Sequence, residues 1–222
     1  IFARVTPEAD VAAIVADIIA DVKENGDTAV KAYCAQFDKA ELTSLEVTPE
    51  EIQEAISQVE PEFLAILREA AENIRSFHSR QVRNSFVIAD KPGIVLGQKI
   101  TPIEKVGVYV PGGTAAYPST VLMDTIPAKI AGCPQLVMVT PPGRDGKVNP
   151  AILAAASIAG VNRIFKVGGA QAIAALAYGT DNQFEKERKI LTQLLEHPVQ
   201  GLIIEGTKSA LPNPNLDLYE KL

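Results

Sequence analysis

The sequence predicts an α/β protein: a parallel sheet covered by helices, preceded by a mainly helical N-terminal region with a few short strands. Three observations carry this expectation. After residue 105, short apolar runs alternate with helix-like segments. Those runs are apolar at successive positions, as strands covered by helices on both faces are. Before residue 85, apolar residues recur at helical spacing behind recognisable helix starts.

The elements follow in order. Thr6-Pro7-Glu8 is an N-cap followed by proline at the first helical position, and Gly26 fits the C-terminal stop of that helix. Thr48-Pro49-Glu50-Glu51 is a capping box in front of IQEAISQV. Pro61 opens PEFLAILREAAENIRSFHSRQ, which is apolar at helical spacing. Residues 85–105 change character: SFVIAD and GIVLGQKITPI are short, β-branched and flanked by Pro and Gly, as strands are.

From there the pattern alternates. Val106–Val110 reads as a strand that ends in Pro111-Gly112-Gly113, and Pro118–Ala131 as a helix. Leu136–Thr140 is a strand closed by Pro141-Pro142-Gly143. Asn149–Ala159 is a helix with Asn149 as its cap, and Ile164–Val167 is the next strand. Gly169–Tyr178 reads as helix because Ala and Leu favour it, with a strand over AALAYGT as the alternative. Then the rhythm breaks. DNQFEKERKILTQLLEHPVQ is a second helix on one crossover, which is unusual for a βαβ unit. Only afterwards come the strand Gly201–Glu205 and the final NPNLDLYEKL. The expected organisation is a helical region over 1–105 and a Rossmann-like or flavodoxin-like α/β domain over 106–222.

Composition narrows the function classes. The 222 residues are 47% hydrophobic and 22% charged, an ordinary globular balance. No apolar run approaches the roughly 18 residues of a membrane helix, and no basic segment followed by an apolar one opens the chain. A cytoplasmic protein without a membrane partner is expected. A net charge of −6 argues against nucleic acid as partner. The charge is uneven. Residues 1–105 carry 11 Lys and Arg against 18 Asp and Glu, residues 106–180 carry 5 against 2, and residues 181–222 carry 5 against 7. The positive segment is also the glycine-rich one, which favours an anionic ligand there; chance remains the other reading of so small an excess.

Cys34 and Cys133 lack CxxC spacing and are expected to be free, buried thiols. His78 sits on a long helix and His197 before Pro198 at a helix end, and neither is given a catalytic role. No cluster has zinc-ligand spacing.

The chemistry candidates are two glycine pairs. Gly112-Gly113 and Gly168-Gly169 each follow an expected strand and precede an expected helix. In a doubly wound sheet both would lie at the carboxyl ends of strands, where ligands bind. Glycine admits close approach of a ligand to the backbone, and a helix N-terminus offers unpaired N–H groups. Neither pair forms GxGxxG, so spacing alone leaves turn and phosphate cradle both open. Tyr109 ends the strand before the first pair and Gln171 follows the second. Each could read a ligand, and each could simply pack or cap.

Residues 4–180 resemble the N-terminal part of the histidinol dehydrogenases. The resemblance is carried by GDTAVKAYCAQFD, FHSRQ, VGVYVPGG, STVLM, PAKIAGC and FKVGGAQAIAALAYGT. It implies the family's NAD-dependent oxidation of L-histidinol to L-histidine through the aldehyde, with zinc holding the substrate in homodimers that build each site from both chains. By position it implies that Tyr109 and Gln171, with Gly112, Gly113, Gly168 and Gly169 around them, contact NAD. The family's later zinc ligands and catalytic Glu-His pair have no counterpart in this sequence. Residues 182–222 are similar instead to the effector-binding domain of sugar-responsive repressors, most like that of the arabinose repressor, through GLIIEGTKSALPNPN. The expectation is an engineered fusion joined near 180–182. Such a chain would have no catalysis, no catalytic or metal residues of its own and at most weak NAD binding. The alternative is a sugar-binding or regulator-derived module. Apolar surface left on the helices before residue 80 predicts a homodimer.

Overall fold

The structure, a computed structural model, describes residues 11–112 and 116–178. The helix start at Thr6, Gly113, the junction near 180–182, the helix after it, His197 and the strand Gly201–Glu205 all lie outside these residues.

Strands β3 (Lys105–Tyr109), β4 (Gln135–Thr140) and β5 (Arg163–Lys166) form a parallel sheet in that order. Lys105 lies opposite Gln135, and Val137 opposite Arg163. Helix α4 (Pro118–Ile130) connects β3 to β4, and α5 (Pro150–Ala159) connects β4 to β5. The two-residue period of a strand sends Val108, Leu136, Met138 and Ile164 to one face and Tyr109, Val139 and Phe165 to the other. Helices α4 and α5 cover the first face, with α2 (Pro49–Ser57) and α3 (Pro61–His78) packed behind them. The second face is covered by α6 (Gly169–Tyr178) and α1 (Val11–Tyr33), which pack on each other. The consecutive apolar residues of β4 are thus buried on both sides, as their pattern required. Helix α5 is apolar almost all round, and Ile152–Ala156 and Ala159 are all buried. A helix of that composition is stable only when enclosed.

The local start signals act as their chemistry dictates. Thr48 Oγ1 accepts from Glu51 N at 3.2 Å, and Glu51 Oε2 accepts from Thr48 N at 2.8 Å, which closes the capping box of α2. Asn149 Oδ1 accepts from Ala151 N at 2.9 Å and caps α5. Gly169–Tyr178 is helix, so the strand alternative there is dismissed.

Gly26 differs from expectation. It breaks the helix (φ 54°, ψ −132°), but a second helical stretch starts at once and runs to Tyr33. That stretch buries Ala29 and Val30, and the π-turn Cys34–Asp38 after it buries Cys34. Burial beside the sheet recruits a segment whose local sequence gave no separate signal. The chain then reaches the outer edge of β5. Val47 N donates to Ile164 O at 2.9 Å and Lys166 N donates to Leu45 O at 2.7 Å, so this edge is covered. The N-terminal helices therefore share both cores of the sheet.

Strands β1 (Phe86–Lys91) and β2 (Ile94–Gln98) form a separate antiparallel hairpin, exposed along its whole length. Cys34 and Cys133 are free and buried. Burial, helped by the nearby Asp38 charge, pushes the Cys34 thiol up to about 11. No helix among the described residues is long and apolar enough to cross a membrane.

Candidate functional site

The three parallel strands end side by side, and each leaves the sheet through Pro or Gly. Pro141 lies between the outer two exits. A Cβ added to Gly112 would meet Pro141 Cγ at 2.5 Å, and one added to Gly168 would meet Pro141 Cβ at 2.7 Å. No side chain fits at either position. The first glycine of each pair is thus demanded by packing against Pro141, and this requirement exists whether or not a ligand is present.

The second pair does more. Gly169 begins α6 with φ 66°, a conformation that strains any residue with a Cβ. Its N–H, one of the unpaired donors at the helix start, is accepted by Tyr109 Oη at 3.1 Å. That hydrogen bond joins the ends of β3 and β5 across β4. A Cβ at Gly169 would also meet Gln171 Oε1 at 2.6 Å. Gln171 is 1% exposed, and its Oε1 is buried without a hydrogen-bond partner. A buried amide oxygen left unpaired costs about 1–3 kcal/mol. Tyr109, Gly169 and Gln171, singled out separately in the sequence, therefore meet in one polar corner. Tyr109 still has its own proton to donate, and Gln171 still has an acceptor to fill.

On the other side of Pro141 a cleft of about 720 Å³ opens, with Gly112, Pro141, α2, the start of α5 and the loop after β4 as its walls. Tyr109 and Gln171 do not line it. Two ion pairs frame it. Lys147 Nζ lies 2.8 Å from Glu54 Oε1, and the buried Lys166 places its Nζ 2.8 Å from Glu51 Oε1. Burial pushes the Glu51 carboxyl up, but its bonds with Lys166 and the Thr48 N–H outweigh this and leave it below the usual carboxylate range. Asp38 ends the π-turn and reaches the same cleft. Burial raises its carboxyl, and its Oδ2 has no partner.

Sequence reasoning missed these groups. Lys166, a charge inside the apolar run RIFKV, was a usable signal. Asp38 carried none, since only the π-turn after α1 delivers it to the cleft. His78 is remote from the strand ends; its Nδ1 lies 2.6 Å from Gln81 Oε1 beside a hollow of about 380 Å³. Among the described residues no group of three or more His, Cys, Asp or Glu is placed to hold a metal ion.

Helices α4 and α5 lie on one face of the sheet and α6 on the other. The chain therefore changes face after β5, and no described strand pairs with the outer edge of β3. This is the arrangement of doubly wound α/β proteins, which bind ligands outside the carboxyl ends of the strands where the winding reverses. Sequence comparison then makes the assignment specific. A model of the histidinol dehydrogenase family matches residues 3–191, and the chain belongs to that family.

The chain is 57% identical over 174 residues to the histidinol dehydrogenase of Clostridium acetobutylicum, which covers 78% of this chain and 40% of that protein. It is 54% identical over 167 residues to that of Bacillus subtilis, covering 75% and 39%. The crystal structure of histidinol dehydrogenase from Elizabethkingia anophelis superposes with a TM-score of 0.75 at 41% identity, over 80% of this chain and 41% of that one. The chain thus spans about two-fifths of the length of these relatives. The family match also continues to residue 191, beyond the junction expected near 180–182.

Proposed function

We propose that this chain is the cofactor-binding part of a histidinol-oxidising enzyme, that it binds NAD weakly at the carboxyl ends of β3 and β5, and that alone it does not turn over histidinol. The observation that supports this reading is the polar corner. Gln171 Oε1 is buried and unpartnered beside a tyrosine hydroxyl and a glycine-lined helix start. Such a corner suits a ligand edge that carries both donors and acceptors. Tyr109 and Gln171 would hold the dinucleotide, with Gly169 leaving room for it. NAD, when bound, supplies the hydride acceptor. Proton abstraction and metal binding would fall to parts of the family's enzyme outside the two-fifths that this chain matches. The chain is further expected to pair with a second copy, because Ile14, Ile66 and Phe77 on its N-terminal helices are exposed. The sugar-binding alternative is read from residues 182–222, which lie outside the described residues.

The test is a calorimetric titration of the purified chain with NAD, repeated on Tyr109→Ala, with the mass in solution measured by light scattering beforehand. Saturable heat is expected, with affinity falling about tenfold or more in the variant, as for loss of one buried hydrogen-bonding ring. Absence of heat from the parent chain overturns the cofactor reading. NADH formation with histidinol and zinc overturns the inactive one, and a mass of one 23.7 kDa chain overturns the dimer.

A further inference from the structure

The outer edges of β1 and β2 pair with no described strand, and the pairing register gives their hairpin two unlike faces. Ile88 lies opposite Leu96 and Phe86 opposite Gln98, and these side chains share one face. Val87 lies opposite Gly97, and Val95, two residues before Gly97, shares the second face. The register slips between Ile88 and Lys91, so Ala89 and Asp90 both oppose Val95. Lys91, opposite Ile94, is back on the first face.

The second face is the barer one. Val87 and Val95 are 72% and 70% exposed, the highest values of any large apolar side chain among the described residues. This face also carries opposite charges at its two ends. Asp90 stands at the tip, beside the turn at Pro92-Gly93, and Lys99 stands at the foot, two residues past Gly97. Neither has a partner among the described residues. The first face has Lys91 at its tip and no carboxylate among its strand residues, so it offers no such match to a copy of itself. Along the hairpin, Asp90 lies level with Val95, two residues to the tip side of Gly97, and Lys99 lies as far to the foot side. A two-fold axis at Gly97 would therefore lay two hairpins antiparallel and bring each Asp90 to the Lys99 of the other copy. Gly97 has no side chain to hold the two apart, and Val87 beside it would meet its own copy.

We propose that the hairpin is a self-association arm, and that two copies of this chain pair through the face of Val87, Gly97 and Val95 with Asp90 and Lys99 matched at both ends. This inference rests on the pairing of two copies expected above and names the surface that makes it. With tip and foot included, each copy contributes roughly 500 Å², at the low end of specific interfaces, so the pair is weak and concentration-dependent. The first face, with Leu96, stays open in the pair.

The experiment is light scattering of the full chain over a dilution series from roughly 1 to 100 µM, with the native state of each variant checked by its circular dichroism melt. The parent mass is expected to rise from one 23.7 kDa chain towards two across the series. Val95→Asp buries an unpaired charge in the interface and should raise the dissociation constant about tenfold or more. Asp90→Lys sets like charges together twice and should raise it about three- to tenfold, and the swap Asp90→Lys with Lys99→Asp should restore the parent value. If the parent has the mass of one chain up to the highest concentration, the pairing of copies falls and this inference with it. If the parent pairs and Val95→Asp pairs equally well, the pairing stands and another surface makes it. If Val95→Asp loses its native melt, the charge variants decide. An unchanged dissociation constant in Asp90→Lys, or a swap that does not restore pairing, overturns the antiparallel arrangement, as does growth of the parent beyond two chains.

Discussion

Strand β4, QLVMVT, and strand β2, IVLGQ, are built from the same kinds of residue and meet opposite environments. Leu136 and Met138 are fully buried, whereas Val95 and Leu96 are 70% and 62% exposed. Both runs are β-branched or aliphatic, and both are bounded by Pro, Gly or polar residues. The difference lies in what packs on them. β4 sits between two helical layers, and its neighbours β3 and β5 satisfy both of its edges. β2 has a single partner strand and no helix on either face among the described residues. An isolated two-stranded hairpin is marginal in water. Apolar alternation therefore reports a strand's potential to be buried, while the layers around it decide whether burial happens.

The contrast can be broken most directly by making the same substitution in both places. Leu136→Ala removes a fully buried side chain and should cost about 2–5 kcal/mol in urea unfolding. Leu96→Ala should change stability by no more than about 0.5 kcal/mol. A comparable loss at both positions would mean that the hairpin is covered in solution, by a second copy or by residues outside those described.

A smaller effect separates the two regions by pH. The Glu51–Lys166 pair ties α2 to β5 and so belongs to the sheet. Glu51→Gln should destabilise by about 1–2 kcal/mol, less than for a fully buried pair because Glu51 is 29% exposed. The Glu51 carboxyl is held below its ordinary value of 4.5 in the folded state. Its contribution is thus complete above the unfolded value and is lost as the pH falls through the lower folded one. Urea midpoints of the parent and Glu51→Gln should converge as the pH is taken from 6 to about 3. A constant gap across that range would show that the pair is not what Glu51 contributes.

Much of the fold was legible in the residues. Thr48, Pro49 and Glu51 announce α2, Asn149 and Pro150 announce α5, and the unbroken apolar runs of β3, β4 and β5 require cover on both faces. These signals are local. Hydrogen-bonding caps, proline geometry and side-chain period act within a few residues and so survive in a linear reading. Three of the candidate residues, Tyr109, Gly169 and Gln171, were singled out on local grounds, and the fold brings them into one corner.

Tertiary structure decided the rest. The requirement for glycine at 112 and 168 comes from Pro141, just past the end of the strand between them, as much as from any ligand. Gly26 interrupts the helix without ending it, and the helical stretch after it exists because Val30 and Cys34 find a place against the sheet. Asp38 becomes a cleft residue only because that stretch ends in a π-turn, and Lys166 is tolerated in a buried strand only because α2 brings Glu51 to it. For the glycines and for Lys166 the deciding partner is far along the chain, more than a hundred residues away for Lys166 and Glu51. Side-chain types and local spacing determined which elements form; the contacts made when those elements pack determined which residues became a site.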